Sequence, residues 1–266
     1  MKRRALFLLF LTAITAIGAS DLASPILGMA RNSRNELRLV YGVTGNFILR
    51  GRIGTDVRNW AFTGSGGLLE TGTEVIVLDA HGQVIHGIPA SYGEVLLGSG
   101  GAFFGETGEL RGLDPEGGQT AAVTPALAGA KVIALGTFGL RSRRLALCRA
   151  MQLWLVDVDS DTGSVIREAS PGGVIGAQAC RPENYNSFLV LDGLLLLATA
   201  HDLVIQPDSG NERSLAFPGS PGIRPQIHRA GEQWVELEFA GLPAMMARIA
   251  GGTEKLYFLP GLERSK

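Results

Sequence analysis

Charge is scarce in this chain. Asp, Glu, Lys and Arg make up only 18% of 266 residues, and the 24 basic and 25 acidic side chains leave a net charge of -1. Intrinsic disorder, which needs low hydrophobicity and high net charge, is excluded by a composition that is 45% hydrophobic. The lack of a basic excess excludes the electrostatic footprint of a nucleic-acid binder. Lysine occurs only at Lys2, Lys131, Lys255 and Lys266, and neither a P-loop nor a G-x-G-x-x-G segment is present. Thr63–Gly67 and Leu97–Gly101 are glycine-rich but lack the G-x-S-x-G spacing of a nucleophile elbow, and read as hairpin turns. Long apolar runs are missing beyond the N-terminus, the most apolar later stretch being Leu194–Ala200. Cysteine is limited to Cys148 and Cys180, both in apolar surroundings. Two buried free thiols are the simpler expectation and a disulfide the alternative, since sequence does not reveal whether the two Cα atoms approach within about 7 Å.

The N-terminus has the grammar of an export signal. Lys2, Arg3 and Arg4 precede an uncharged run from Ala5 to Ile17, and Gly18, Ala19 and Ser20 supply small residues for cleavage. The run is shorter than the roughly 20 apolar residues that span a bilayer. Residues 1–20 are therefore expected to be a signal peptide and 21–266 a single domain, periplasmic or secreted, with no membrane span after cleavage. The alternative is an inner-membrane anchor through an uncleaved N-terminus. Without the three leading basic residues the net charge becomes -4.

What the chain has in excess is glycine, 37 residues, about twice the average share. The glycines punctuate a loose repeat of apolar strand, polar turn and second strand ending near proline: Val75–Pro89, Leu110–Pro125, Leu153–Pro171, Leu203–Pro218 and a truncated Leu256–Gly261. Their turn glycines, Gly82, Gly118, Gly163, Gly210 and Gly261, are spaced by 36, 45, 47 and 51 residues, near the roughly 40 to 50 residues of a four-stranded propeller blade. Apolar segments at Gly45–Leu49, Gly93–Leu97, Lys131–Leu135 and Gly173–Ala177 precede these hairpins and are expected to be innermost strands. No window of 12 or more residues sustains a helical period. The expectation is an all-β chain, a β-propeller of five (alternatively six) four-stranded blades. The N-terminal strands would join the last blade and close the ring. An ordinary β-sandwich or barrel is the rival architecture.

The hairpin Val75–Asp79, Gly82 and Ile88-Pro89 resembles the blade signature of bacterial β-propeller repeat proteins of the YVTN/quinoprotein-like type. The resemblance covers about a third of the chain and implies a fold; it carries no catalytic residues across.

Asp157, Asp159, Asp161 and Glu168 fall at positions 1, 3, 5 and 12 of a calcium loop, but Thr162 stands where such a loop needs glycine, so the turn of a hairpin is the stronger expectation. Calcium is thus the one cofactor candidate. The histidines, His81, His86, His201 and His228, lack metal-ligand spacing. Arg141, Arg143, Arg144 and Arg149 are expected to be a charged edge strand, and Trp60, Trp154 and Trp234 to pack between blades. The function expected is that of an exported, non-catalytic binding or scaffolding module, a monomer with a protein or glycan partner. A propeller lyase, lactonase or glycan-active hydrolase is one rival; it needs several of Asp79, His86, Asp157, Asp192, His201 and His228 to converge at one channel mouth. A membrane-anchored cell-surface structural component is the other.

Overall fold

A computed structural model describes residues 25–259 except 33, 45, 55, 90–93, 99–100, 106, 113–119, 123–126, 128, 138–140, 220 and 251. The expected signal segment and the turn glycines Gly118 and Gly261 lie outside the described residues. Among the described residues no helix is long and apolar enough to cross a membrane.

The chain is all-β. Strands β1 (Ile26–Arg31), β2 (Leu37–Val43) and β3 (Asn46–Gly54) form a three-stranded antiparallel sheet. Five four-stranded meanders follow. The first comprises β4 (Asn59–Thr63), β5 (Gly66–Glu70), β6 (Glu74–Asp79) and β7 (Val84–Pro89). The second comprises β8 (Val95–Gly98), β9 (Gly101–Phe104), β10 (Glu109–Gly112) and β11 (Thr120–Ala122). The third is β12 (Lys131–Thr137), β13 (Ser142–Arg149), β14 (Gln152–Asp159) and β15 (Val165–Ala169). The fourth is β16 (Phe188–Leu191), β17 (Leu194–Ala198), β18 (Asp202–Pro207) and β19 (Arg213–Ala216). The fifth is β20 (Gln226–Arg229), β21 (Trp234–Glu238), β22 (Met245–Arg248) and β23 (Lys255–Phe258). The first strand of each meander lies beside that of the next, β4 by β8, β8 by β12, β12 by β16 and β16 by β20. β20 in turn pairs with β4 in parallel, Arg229 opposite Ala61. Antiparallel meanders repeated radially about shared inner strands are the architecture of a β-propeller.

Each sheet is buried on both faces, which accounts for runs such as Leu194–Leu197. Alternate side chains serve opposite neighbours: Leu195 and Leu197 pack toward the third meander, Leu196 and Ala198 toward the fifth. In β4, Trp60 and Phe62 pack with Met29, Leu37 and Leu39 of the N-terminal sheet, while Ala61 faces Val95 and Leu97. A further cluster joins Ala30, Val40 and Phe47 to Trp234 and Met246 of the fifth meander, where Phe47 meets Trp234 edge-on at 5.5 Å between centroids. Where inner strands crowd together, side-chain bulk is excluded. A Cβ on Gly136 of β12 would lie 2.5 Å from Val190 of β16.

Several expectations are corrected. Leu256 belongs to β23, the fourth strand of its sheet, so the last hairpin is β22–β23 and is complete. With no strand missing there, the N-terminal strands do not add to the last sheet; they pair with one another as a separate sheet. The described part of Gly45–Leu49, Asn46–Leu49, falls on β3, an outer strand with Ile48 41% exposed, and is not an innermost strand. Gly173–Ala177 is helical, within α1 (Gly173–Gln178), and a 3-10 helix follows at Pro182–Ser187. Of the other two segments, Val95–Leu97 falls on inner strand β8 and Lys131–Leu135 on inner strand β12. The arginine-rich β13 is not an edge strand, for it is paired by β12 and β14 along both sides. The cysteines are not free: Cys148 and Cys180 form a disulfide with their Cα atoms 5.4 Å apart, tying the helical connection to β13.

Candidate functional site

The five inner strands surround a cavity of about 330 Å³. Leu97, Leu135, Leu189 and Ile227 line it from four different strands, but each packs into a cluster between neighbouring sheets, and the surface of the cavity is mainly polar. Polar groups collect where the inner strands begin. Arg58 and Asn59 precede and open β4, Glu94 stands before β8, Tyr185 and Asn186 before β16, and Gln226 opens β20. Lys131, first residue of β12, holds Glu94 at 3.1 Å, and its ammonium lies 5.1 Å from the Tyr185 ring centre. Glu70 sits across the sheet from Asn59, and its carboxyl is raised above the ordinary value by burial, with Arg58 opposing and Glu94 reinforcing the shift. A mouth of this kind presents amides, an aromatic hydroxyl and charges of both signs above the shaft between the inner strands.

One side of the shaft is walled by a buried polar cluster. The His228 ring stacks on Trp60 at 3.7 Å, and the Arg31 guanidinium lies over the same indole at 4.8 Å. His228 Nδ1 lies 3.0 Å from Asn59 Oδ1. That oxygen only accepts, so Nδ1 donates, and Nε2 is left 3.5 Å from Glu238. Burial holds the His228 ring below its ordinary value, outweighing the pull of Glu238. Burial also works to raise the Glu238 carboxyl, but its His228 bond and the Arg31 and His228 charges hold it below the ordinary value. Glu236, fully buried, accepts the Arg31 backbone N–H at 2.8 Å; burial pushes its carboxyl well above the ordinary value. Register explains the cluster: His228 is paired with Glu236 across β20 and β21, and Glu238 follows on the same face.

The far end of the cavity is marked by Arg229, only 4% exposed. Its Nη2 contacts Asp192 at 3.4 Å, and Asp192 also accepts the Thr137 hydroxyl. A second buried arginine, Arg144, is fully matched: Nε and Nη2 donate to Asp157 at 2.7 and 3.1 Å, and Nη1 donates to Asp208 at 2.6 Å. Burial works against its charge, yet the Asp157 and Asp208 bonds leave it held above the ordinary value.

The structure separates the four calcium candidates. Asp157 is buried against Arg144. Asp159 accepts the N–H groups of Asp161 and Thr162 in the β14–β15 turn, and Asp161 is exposed in that turn. Glu168 pairs with Arg149 at 2.8 Å. Among the described residues no three His, Cys, Asp or Glu side chains are grouped to hold a metal. The six residues of the enzyme reading are likewise dispersed. Asp79 caps the β6–β7 turn by accepting the His81 N–H, and His86 lies on outer strand β7. Asp192 and His201 stand in turns at either end of β17, and only His228 joins the inner cluster. Arg58, Glu70, Glu94, Tyr185, Glu236 and Arg229 escaped the sequence reading because each comes from a different place in the chain. One signal was available: Trp234–Glu238 alternates Glu236 and Glu238 with apolar residues, and this segment is β21, buried on both faces.

No protein-family model matches this chain, and no curated protein matches it. The chain is similar to solved β-propeller structures at 11–12% identity. One is the Hsv2 protein of Kluyveromyces lactis, at 12% identity over 85% of this chain and 79% of that one, with a TM-score of 0.40. Another is the β-propeller domain of Myceliophteria thermophila Cps50 (Swd1), at 11% identity over 90% and 88%, with a TM-score of 0.44. A third is PorZ of Porphyromonas gingivalis, a bacterial surface component of the type-IX secretion system. There the chain covers 33% of the other protein, at 11% identity over 89% of this one, with a TM-score of 0.46.

Proposed function

We propose that this chain is an exported, non-catalytic β-propeller whose central cavity and its polar mouth form a binding surface. In this reading five complete blades make the ring, and the N-terminal sheet is a wedge that closes it between the first and fifth. The observation that carries the binding role is the convergence of residues from all five inner strands on one cavity with polar groups of both signs at its mouth. Concave sites with convergent polar groups are where ligands and partner segments seat. Export is supported by the charged, apolar and small-residue order of residues 1–20 and by a disulfide, which persists in oxidising compartments. Its hairpin signature resembles that of YVTN-like repeat propellers, and that resemblance supports reading the chain as one of them.

The test has two arms. Expression in a bacterial host followed by mass measurement of the N-terminus supports export if residues near 1–20 are gone; an intact Met1 overturns it. A thermal-shift screen of short peptides and oligosaccharides, repeated on Glu94→Arg, supports the mouth as the binding surface if hits are lost in the variant. Hits indifferent to that substitution, or turnover of an ester, lactone or glycoside by the purified chain, overturn the reading.

A further inference from the structure

Ionisable side chains gather at the seam where the N-terminal sheet meets the rest of the fold, and they are buried there. That sheet shares no ladder with its neighbours. It packs through apolar clusters against the first meander on one face and the fifth on the other. β1 is tied down by the Met29 N–H to Ala230, the Arg31 N–H to Glu236 and the Arg31 guanidinium to the Val57 carbonyl. β20 and β4 also pair directly, at Arg229 and Ala61, so opening the N-terminal sheet leaves a link between the fifth meander and the first.

Two ionisable groups are enclosed at this seam, His228 at 4% exposure and Glu236 at 0%. His228 Nε2 faces a Glu238 oxygen at 3.5 Å, and Arg31 Nε lies 3.4 Å from the same oxygen. A proton added to His228 therefore sets two cations against one carboxylate. Glu236 accepts the Arg31 N–H with one oxygen, and its other oxygen has no partner among the described residues. Ionised, it adds a second carboxylate two residues from Glu238 on the same face. The remaining neighbours at the seam are uncharged: β4 presents Asn59 and Trp60, β22 presents Met246, and the N-terminal sheet presents Ala30 and Val40. Toward the central cavity, which His228 also lines, stand Arg58 and Glu70. A charge buried without a full set of partners is costly in either place.

We propose that the N-terminal sheet is a pH-gated wedge: charging the groups buried at its seam, by acid or by alkali, opens that sheet by itself, ahead of the five meanders. Regions of a fold can open in this way below the free energy of global unfolding. Burial holds His228 below its ordinary 6.5, so below pH 6.5 the open form takes up a proton that the closed form refuses, until the folded value is passed. Burial holds Glu236 well above its ordinary 4.5, so above pH 4.5 the open form releases a proton that the closed form keeps. The two oppose each other between pH 4.5 and 6.5, where the sheet is most firmly closed. Below pH 4.5 the acid limb gains Glu238, which burial pushes up but His228 and Arg31 hold below its ordinary value. The apolar clusters set how tightly the sheet is seated, and the buried charges set the pH range over which that seating weakens.

Amide hydrogen exchange of the full chain from about pH 4 to about pH 9, corrected for the intrinsic rate at each pH, tests this, with the β13–β14 amides as reference. The expected opening constant for the β1–β2 amides is level between pH 4.5 and 6.5. It rises on either side by up to about ten-fold per pH unit for each proton exchanged, and the reference amides do not follow it. In Glu236→Gln the alkaline rise is lost and the acid rise begins at pH 6.5; in His228→Gln the alkaline rise begins at pH 4.5. Equal changes in β1–β2 and in the reference overturn the local opening, since the whole fold is then responding. A level opening constant across the full range in the native chain overturns the gating. Native slopes in both folded variants overturn the assignment to these two residues. If a variant does not fold, the comparison of the two regions in the native chain still decides whether the sheet is gated.

Discussion

Breaking the Cys148–Cys180 bridge is the perturbation whose magnitude follows most directly from the structure. The bridge closes a loop with a sequence separation of 32, for which the chain-entropy relation gives about 3.7 kcal/mol at 25 °C. For a chain of this length each kcal/mol moves the unfolding midpoint by roughly 2–4 °C, so the loss corresponds to roughly 7–15 °C. The loop contains β14, β15 and α1, and its closing residues lie in the apolar cluster between the third and fourth meanders with Ile175 and Ala179. Removing the bridge therefore also loosens the seating of α1, which adds to the loss. Thermal unfolding of Cys148→Ala/Cys180→Ala beside the oxidised native chain measures it, and titration of the unreduced, denatured native chain is expected to find no free thiol. A midpoint drop under about 3 °C, which is about 1.5 kcal/mol at most on the same scaling, would refute the reasoning. So would two titratable thiols in chain recovered from an oxidising compartment.

Three other perturbations test separate parts of the fold. Arg144→Met alone is expected to cost about 3–5 kcal/mol in urea unfolding, because it leaves the buried Asp157 carboxylate unmatched, and Asp157→Asn less, because Arg144 keeps Asp208. Arg144→Met combined with Asp157→Leu is expected to recover much of that, and a strictly additive double variant would contradict the pairing. The pH dependence has two opposed parts. Glu236 has a folded value above its ordinary 4.5, so its contribution is whole below pH 4.5 and is lost as pH rises through the folded value. His228 has a folded value below 6.5, so its contribution is whole above pH 6.5 and is lost as pH falls through the folded value. Urea midpoints across both windows are expected to flatten on the alkaline side in Glu236→Gln and on the acid side in His228→Gln; native-like slopes in either variant would remove that residue from the account. Finally, Gly28→Val puts a Cβ 1.8 Å from the Ala230 carbonyl, the oxygen that accepts the Met29 N–H at 2.8 Å. It is expected to destabilise by about 2 kcal/mol or more and to speed limited proteolysis between β3 and β4, whereas native-like cleavage would show that the N-terminal sheet is not held there.

The outer hairpins were legible in the sequence because their chemistry is local. Asp79 accepts the N–H groups of His81 and Gln83, and Gly82 takes a φ of +76°; Asp159 and Gly163, at +69°, repeat the arrangement. Such turns need only a few adjacent residues, so their pattern survives in a single sequence. What was misread depends on partners far along the chain. Gly173–Ala177 has the apolar content of an inner strand, but it lies in a connection tethered by a disulfide, and six helical residues are too few to show a 3.6-residue period. The N-terminal strands are expected in the last sheet because Leu256–Gly261 reads as a truncated unit. That reading fails on a partner far along the chain, since β23 completes a meander by pairing with β22.

The site was least legible for a related physical reason. A cavity among radial sheets draws one or two side chains from each, at intervals set by the blade and not by the chemistry, so no spacing motif can form. Its trace is instead a local inconsistency: charged residues within strands that are otherwise buried on both faces. Glu236 and Glu238 on β21, His228 and Arg229 on β20 and Arg144 on β13 all have that form. The structure then sorts them by partner. Arg144 is closed by two carboxylates, and His228, Glu236 and Glu238 are occupied with Asn59 and Arg31 where the three-stranded sheet offers no fourth strand. Arg229 reaches Asp192 at 3.4 Å, with Nε and Nη1 enclosed and unmatched. Buried charge therefore sits at the junctions between neighbouring sheets: Arg144 between the third and fourth meanders, the His228 cluster between the fifth and the N-terminal sheet, and Arg229 between the fifth and fourth.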